Sequence, residues 1–390
     1  MAAIKQVLAP SHATGRLLLG VVGIAVAVAV ISMVGEFRAT QLASMAYLGV
    51  AAAGLTLLTG LNGQLSLGHG ALMAIGAYTA ALLLPDADAG TPLPVVLLAA
   101  VAVTVLVGAV VGVAAARLHG PYLAGATLAL AVAVPGLAIY FGDTLGGEQG
   151  LSVSVPDVPV WLADAIFFLT GTDPSRGRYV SYVAWVVLVI VLVVLANLAR
   201  SRTGRRWRAV RDDEIAAQLV GIDLGRNRVL AFVVSAACAG LGGALMALAV
   251  RLTAPSGFTL TLSLTLVAAI VLGGLGTLTG AVIGAALLTF LPQVVTQFGG
   301  GIGLDDVQSA QLAPFVYGLV MVLVVLLAPA GLVGSLLRWR MRRAGRRTSA
   351  VLDGPPPSVP SGSDSSDSSD SEPSDDSPTS TQPTPRGAHS

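Results

Sequence analysis

Leu93-Pro-Val-Val-Leu-Leu-Ala-Ala-Val-Ala-Val-Thr-Val-Leu-Val-Gly-Ala-Val-Val-Gly-Val-Ala-Ala-Ala116 carries no charge from end to end. A hydrocarbon core roughly 30 Å thick requires about 20 apolar residues in a helix, so this stretch is long enough to cross it. Comparable stretches recur along most of the 390 residues, of which 54% are hydrophobic and only 11% charged. The mean hydropathy of +0.80 argues against a soluble fold. The 46 glycines fit close packing between membrane helices, which associate through small residues. Strands alternating polar and apolar residues are lacking, so the sequence predicts an all-α integral membrane protein rather than a barrel.

About ten transmembrane helices are expected: Leu17–Val34, Leu42–Gly60, Leu65–Leu84, Leu93–Ala116, Tyr122–Phe141, Tyr179–Leu198, Val229–Val250, Leu262–Leu272, Thr277–Val294 and Ala313–Leu332. The eighth is short for a full crossing. The first is long for a signal-peptide core and lacks a clean Ala-x-Ala site after it, so it reads as a retained span. Pro135 is expected to kink the fifth span, whereas Pro292 and Pro329 fall near the ends of theirs. Cys238, the lone cysteine, reads as a small packing residue.

The positive-inside rule orients the chain. With the N-terminus in the cytoplasm, only Arg38, Arg176, Arg178 and Arg251 among the 22 basic residues fall outside. The organisation predicted is a cytoplasmic N-terminus over 1–16 and a permease domain over 17–337, with a cytoplasmic loop over 199–228. A basic segment at 338–348 suits anionic headgroups, so membrane lipid is an expected partner. Residues 349–390, rich in Ser, Asp and Pro, have few apolar side chains to offset ordering entropy and read as a disordered tail.

The 199–228 loop holds Arg200, Arg202, Arg205, Arg206, Arg208 and Arg211, then Asp212-Asp-Glu-Ile-Ala-Ala-Gln-Leu-Val-Gly221. Asp212 or Asp213 can cap a short helix, with Glu214 in its first turn and Gly221 as terminator. Ile215, Leu219 and Ile222 then make one apolar ridge beside a positive flank carrying Trp207. Such a ridge fits a groove on a partner; the alternative is that the arginines only set topology and the ridge lies on lipid.

Asn62, Gln64, Ser66 and His69 cluster among glycines at the entry to the third span. Polar groups at that depth require partners or water, so they either line a translocation pathway or belong to a tight glycine turn packed between helices. Ser66 and His69 lack an identifiable orienting acid for hydrolytic chemistry. Leu272-Gly-Gly-Leu-Gly-Thr-Leu-Thr-Gly280 reads as a close-packed turn. A Walker A motif ends Gly-Lys-Ser/Thr, and the only lysine here is Lys5, so the chain cannot be its own P-loop ATPase.

The Asp212–Gly221 segment resembles the EAA loop of ABC-importer permeases: Ala216, Ala217 and Gly221 match, while Ile215 occupies the acidic position and Glu214 lies one residue earlier. Taken with Gly63-Gln-Leu-Ser-Leu-Gly-His-Gly-Ala-Leu-Met-Ala-Ile-Gly-Ala-Tyr-Thr79, Leu145-Gly-Gly-Glu-Gln-Gly-Leu151 and Val271–Gly284, the chain resembles the membrane subunits of branched-chain amino acid ABC importers, of LivM type. The likeness runs from about residue 40 to 335; Leu151-Ser-Val, where the family has a Leu-Pro-Gly turn, and the acidic tail depart from it.

The resemblance implies an ABC importer permease fold and a multi-pass subunit in a prokaryotic cell membrane. It implies partners: a LivH-like second permease subunit, cytoplasmic ATPase subunits and an extracytoplasmic solute-binding protein. ATP would be used by those partners, with no cofactor or metal bound by this chain, no catalytic residue, and no nucleic acid. Residues expected to couple to the ATPases are Arg205, Arg206, Trp207, Arg208, Glu214, Ala216, Ala217, Leu219 and Gly221; Asn62, Gln64, Ser66 and His69 are the pathway candidates. Urea or short-amide importers are a neighbouring expectation. An ion-coupled secondary transporter or channel is the alternative from another class, disfavoured because no clear intramembrane charge is present.

Overall fold

The computed structural model describes residues 13–86, 90–118, 121–171 and 174–301, with scattered positions between 315 and 335. The basic segment and the tail lie outside the described residues, as do residues 1–12 and most of the expected tenth span.

Long apolar runs form the helices α1 (Ala13–Met33), α2 (Glu36–Thr56), α3 (His69–Leu83), α4 (Leu93–Ala116) and α5 (Pro121–Tyr140). A short α6 (Gly142–Leu145), a strand β1 (Leu151–Ser152) and α7 (Val160–Thr170) lead to α8 (Arg176–Arg200). Two small helices, α9 (Arg202–Asp212) and α10 (Glu214–Leu219), precede α11 (Leu224–Val250), β2 (Leu252–Thr253), α12 (Leu260–Gly273) and α13 (Leu278–Gly301). Polar side chains mark the starts: Ser175 accepts from Arg178 N, Ser201 from Gly204 N and Asp223 from Arg226 N. Each satisfies a backbone donor that the first helical turn leaves unpaired.

Among the described residues, seven helices are long and apolar enough to cross a membrane, and two more apolar helices, Leu18–Met33 and His69–Leu83, are shorter. The third span therefore starts four residues later than expected, because the Asn62–Gly68 segment is not regular helix. The seventh begins at Leu224 rather than Val229, since the Asp223 cap extends it. Pro292 lies inside α13 and not near an end, because that helix runs on to Gly301. The helix α7 falls in a stretch expected to be loop.

The centre of the bundle is α11, packed on α2, α3 and α4. Small residues permit this: a Cβ on Gly243 would lie 1.8 Å from Met73 O, and one on Gly76 would lie 2.2 Å from Gly240 O. The close backbone approach these glycines allow gives the dispersion that holds helices together where apolar burial gives no drive. Buried Cys238 packs against Gly54, as a small core residue does.

Contacts between distant loops sort the helix ends onto two faces. On one, β1 pairs antiparallel with β2, Ser154 N donates to Leu84 O at 3.0 Å, and Ser175 Oγ donates to Glu36 Oε1 at 2.9 Å. These join the ends of α3, α5 and α11 with the starts of α2 and α8. The other face gathers the arginine-rich helices, the end of α4 and the start of α11.

Candidate functional site

The helix α9 is amphipathic in a way its arginines conceal. Trp207 is fully buried, and its Nε1 donates to Asn227 O at 3.0 Å. The positive flank expected to carry Trp207 therefore does not present it: an indole of that size gains more from burial than from water, provided its N–H finds an acceptor. Arg205 and Arg206 remain exposed and Arg208 is half-buried. Arg205 Nη1 donates to Arg200 O at 3.1 Å.

In α10, Asp213 is the cap, accepting from Ile215 N at 2.9 Å and Ala216 N at 3.0 Å. The helix ends in a Schellman arrangement: Ile222 N donates to Ala217 O, Gly221 N donates to Gln218 O, and Gly221 has φ +80°. This turn corrects the expected ridge. Ile222 folds back half-buried, and Val220 takes its place, 76% exposed beside Ile215 at 72% and Leu219 at 83%. Ala216 is exposed, whereas Ala217 is buried beneath the helix.

Glu214, one residue early for the EAA pattern, has a partner within the chain. Its carboxylate accepts from Arg228 Nη2 at 2.6 Å, and Arg228 Nη1 donates to Ala116 O at 3.4 Å. The guanidinium is nearly buried at 7% while the carboxylate is 47% exposed. Nothing in the run of arginines singled out Arg228; an arginine in the first turn of an apolar span, after a capping aspartate, is the one signal.

Above these helices α2 does not end cleanly. Leu57–Leu61 is a π-helical turn, a geometry frequent at functional sites. Arg211 reaches up to donate to Gly60 O, and its stem lies against Gly63, whose φ is +79°. Asn62 Nδ2 donates to Asn227 O at 3.3 Å, sharing that acceptor with Trp207. The 272–280 turn closes on the same place, since a Cβ on Gly60 would lie 2.3 Å from Gly276 N. Arg211 and Asn227, absent from the sequence-based set, thus tie α9 and α11 to the break.

All four polar residues of the break are buried. His69 Nε2 donates to Ala51 O at 3.1 Å, Leu67 N donates to Thr127 Oγ1 at 3.0 Å, and Gly70 N donates to Ser263 Oγ at 2.9 Å. Asn62 Oδ1, Gln64 Oε1, Ser66 Oγ and His69 Nδ1 have no hydrogen-bond partner among the described residues. Ser66 and His69 are not bonded to each other, so no hydrolytic pair is assembled.

Residues 37–325, which include the arginine-rich helices and the break, match the family described as branched-chain amino acid transport system / permease component. The chain belongs to that family. The permease is 32% identical over 296 residues to the high-affinity branched-chain amino acid transport system permease protein LivM of Escherichia coli, covering 72% of this chain and 66% of that protein. It is 28% identical over 290 residues to BraD of Pseudomonas aeruginosa, also a permease protein of such a system, covering 73% of this chain and 90% of BraD. The permease thus spans just under two thirds of the length of LivM. Membership accounts for the multi-pass helical architecture of a membrane protein.

Proposed function

We propose that the permease is one membrane-spanning subunit of an ATP-driven importer of branched-chain or related amino acids. It works with a LivH-like second permease, cytoplasmic ATPase subunits and an extracytoplasmic binding protein. ATP is bound and hydrolysed by the ATPases, and this chain supplies no nucleotide site. The observation that carries the reading is the exposed apolar ridge of Ile215, Leu219 and Val220 on a helix fastened to the bundle. Ridges of this kind insert into partner grooves, and the Glu214–Arg228 ion pair and buried Trp207 keep the helix from moving independently of α11.

Motion of α9 and α10 then reaches the break through Arg211 on Gly60 and through the shared carbonyl of Asn227. Four buried polar atoms lack partners among the described residues, and a group of this kind left unpaired costs about 1–3 kcal/mol. A second arrangement that exposes Asn62, Gln64, Ser66 and His69 to a hydrated path relieves that cost, which is what an alternating pathway requires. Leu219→Asp tests the docking: membrane insertion persists and ATPase association is lost. Normal co-purification of that variant with the ATPases overturns the assignment.

A further inference from the structure

On the face opposite the arginine-rich helices, a partly open cavity of about 110 Å³ lies between the ends of α2, α8 and α11. Its walls change character with depth along all three helices. At the rim stand Glu36 and Thr40, Gly177 and Arg251; below them lie Ala43, Val180 and Leu248, all buried. Glu36 and Arg251 carry opposite charges, yet neither forms an ion pair within the described residues.

Both rim residues are exposed, and each is fixed at one point, Glu36 through its carboxylate and Arg251 through its backbone. Ser175 Oγ donates to Glu36 Oε1, and the missing side chain of Gly177 leaves that oxygen its room: a Cβ there would lie 3.2 Å from it. Arg251 is the one described non-glycine residue with positive φ, at 61°. Its N–H donates to Ala247 O and its carbonyl accepts from Val153 N, so the β1–β2 ladder and α11 fix its left-handed backbone. Side chains rarely adopt that conformation without a surrounding structure that enforces it, and such positions cluster where ligands are gripped.

We propose that this cleft is a binding site for a zwitterionic aliphatic α-amino acid, an entry subsite on the permease itself. Glu36 accepts from the ammonium group. Arg251 donates to the carboxylate, which a guanidinium can grip with two parallel N–H bonds. The hydrocarbon side chain points inward onto Ala43, Val180 and Leu248. The volume is smaller than the about 150 Å³ apolar cavity that accepts benzene, so the fit is to a short branched chain and not an aromatic one. The proposal rests on the amino-acid reading above and adds to it a place where this chain recognises the solute.

The test is equilibrium binding of radiolabelled L-leucine to the permease, purified with its partner permease, without ATP or binding protein. The expected result is saturable binding that weakens at least tenfold in Glu36→Gln and in Arg251→Gln, and recovers in Glu36→Asp and Arg251→Lys. Competition by 4-methylpentanoate or 3-methylbutylamine, which each keep one charge, should be at least tenfold poorer than by leucine. Absence of saturable binding, or affinities within twofold of wild type in both charge-removing variants, overturns the site and leaves Glu36 and Arg251 as helix-end charges. ATP-driven leucine uptake by the complete transporter separates the two failures. Uptake without cleft binding refutes only the site; no ATP-driven uptake of any amino acid refutes the importer reading beneath it.

Discussion

Removing either member of the Arg228–Glu214 pair should have unequal consequences, because the two are buried unequally. The guanidinium is 7% exposed and the carboxylate 47%. Glu214→Ala strands a cation whose remaining acceptor is Ala116 O at 3.4 Å. Breaking a buried pair in this way costs about 3 kcal/mol, the low end of the usual range, since one carbonyl stays in reach. Arg228→Met strands a carboxylate that can turn to water, so its cost is nearer about 1 kcal/mol, as for an exposed pair. The double variant removes the uncompensated charge and should be more stable than Glu214→Ala alone, with a coupling of about 2 kcal/mol. Buried Cys238, the only cysteine, supplies the assay: a thiol-reactive fluorophore reports unfolding as the temperature rises. At roughly 2–4 °C for each kcal/mol, the midpoints of the two single variants should differ by about 4–8 °C. If Arg228→Met melts as low as Glu214→Ala, or the double variant melts lower than either, the reasoning from unequal burial is wrong.

Other consequences can be checked on the same protein. Gly243→Val places carbon where Met73 O stands, 1.8 Å from an ideal Cβ, and should abolish monodisperse folded protein in detergent chromatography; Gly35→Ala, with nothing within 4 Å, should leave the profile unchanged. Arg211→Ala removes the bond to Gly60 O while leaving the Leu219 ridge untouched, so ATPase association should persist and solute moved per ATP hydrolysed should fall in proteoliposomes. An unchanged ratio refutes the link. In a Cys238→Ala background, a cysteine at Gln218 should resist a membrane-impermeant reagent in intact cells, while one at Asp157 should react. The reverse pattern would invert the orientation and, with it, the docking assignment.

What the sequence revealed follows from how far each property depends on neighbours along the chain. Uncharged length is local, so most spans were legible to within a few residues, and Asp213 and Gly221 announced the two ends of α10 through chemistry read over a few positions. The break in front of α3 was visible only as glycine and polar residues, because apolar character resumes at Leu65 while helix resumes at His69. Composition cannot say at which glycine the backbone turns. Arginines are the sharper case. Arg205, Arg206, Arg211 and Arg228 are chemically identical, yet two stay at the surface, one holds a carbonyl of the break and one is buried on Glu214. That choice is made by what α2, α4 and α11 bring alongside, at separations of 14 to 151 residues. The same dependence places Glu214, one residue before the acidic position of the EAA pattern, on a buried cation of its own chain, while Ile215, in that position, faces outward. A partner docking on this surface would meet the hydrocarbon of Ile215, Leu219 and Val220 with the exposed carboxylates of Asp212 and Asp213 close by in the chain, so its complement should be an apolar groove without an acidic rim.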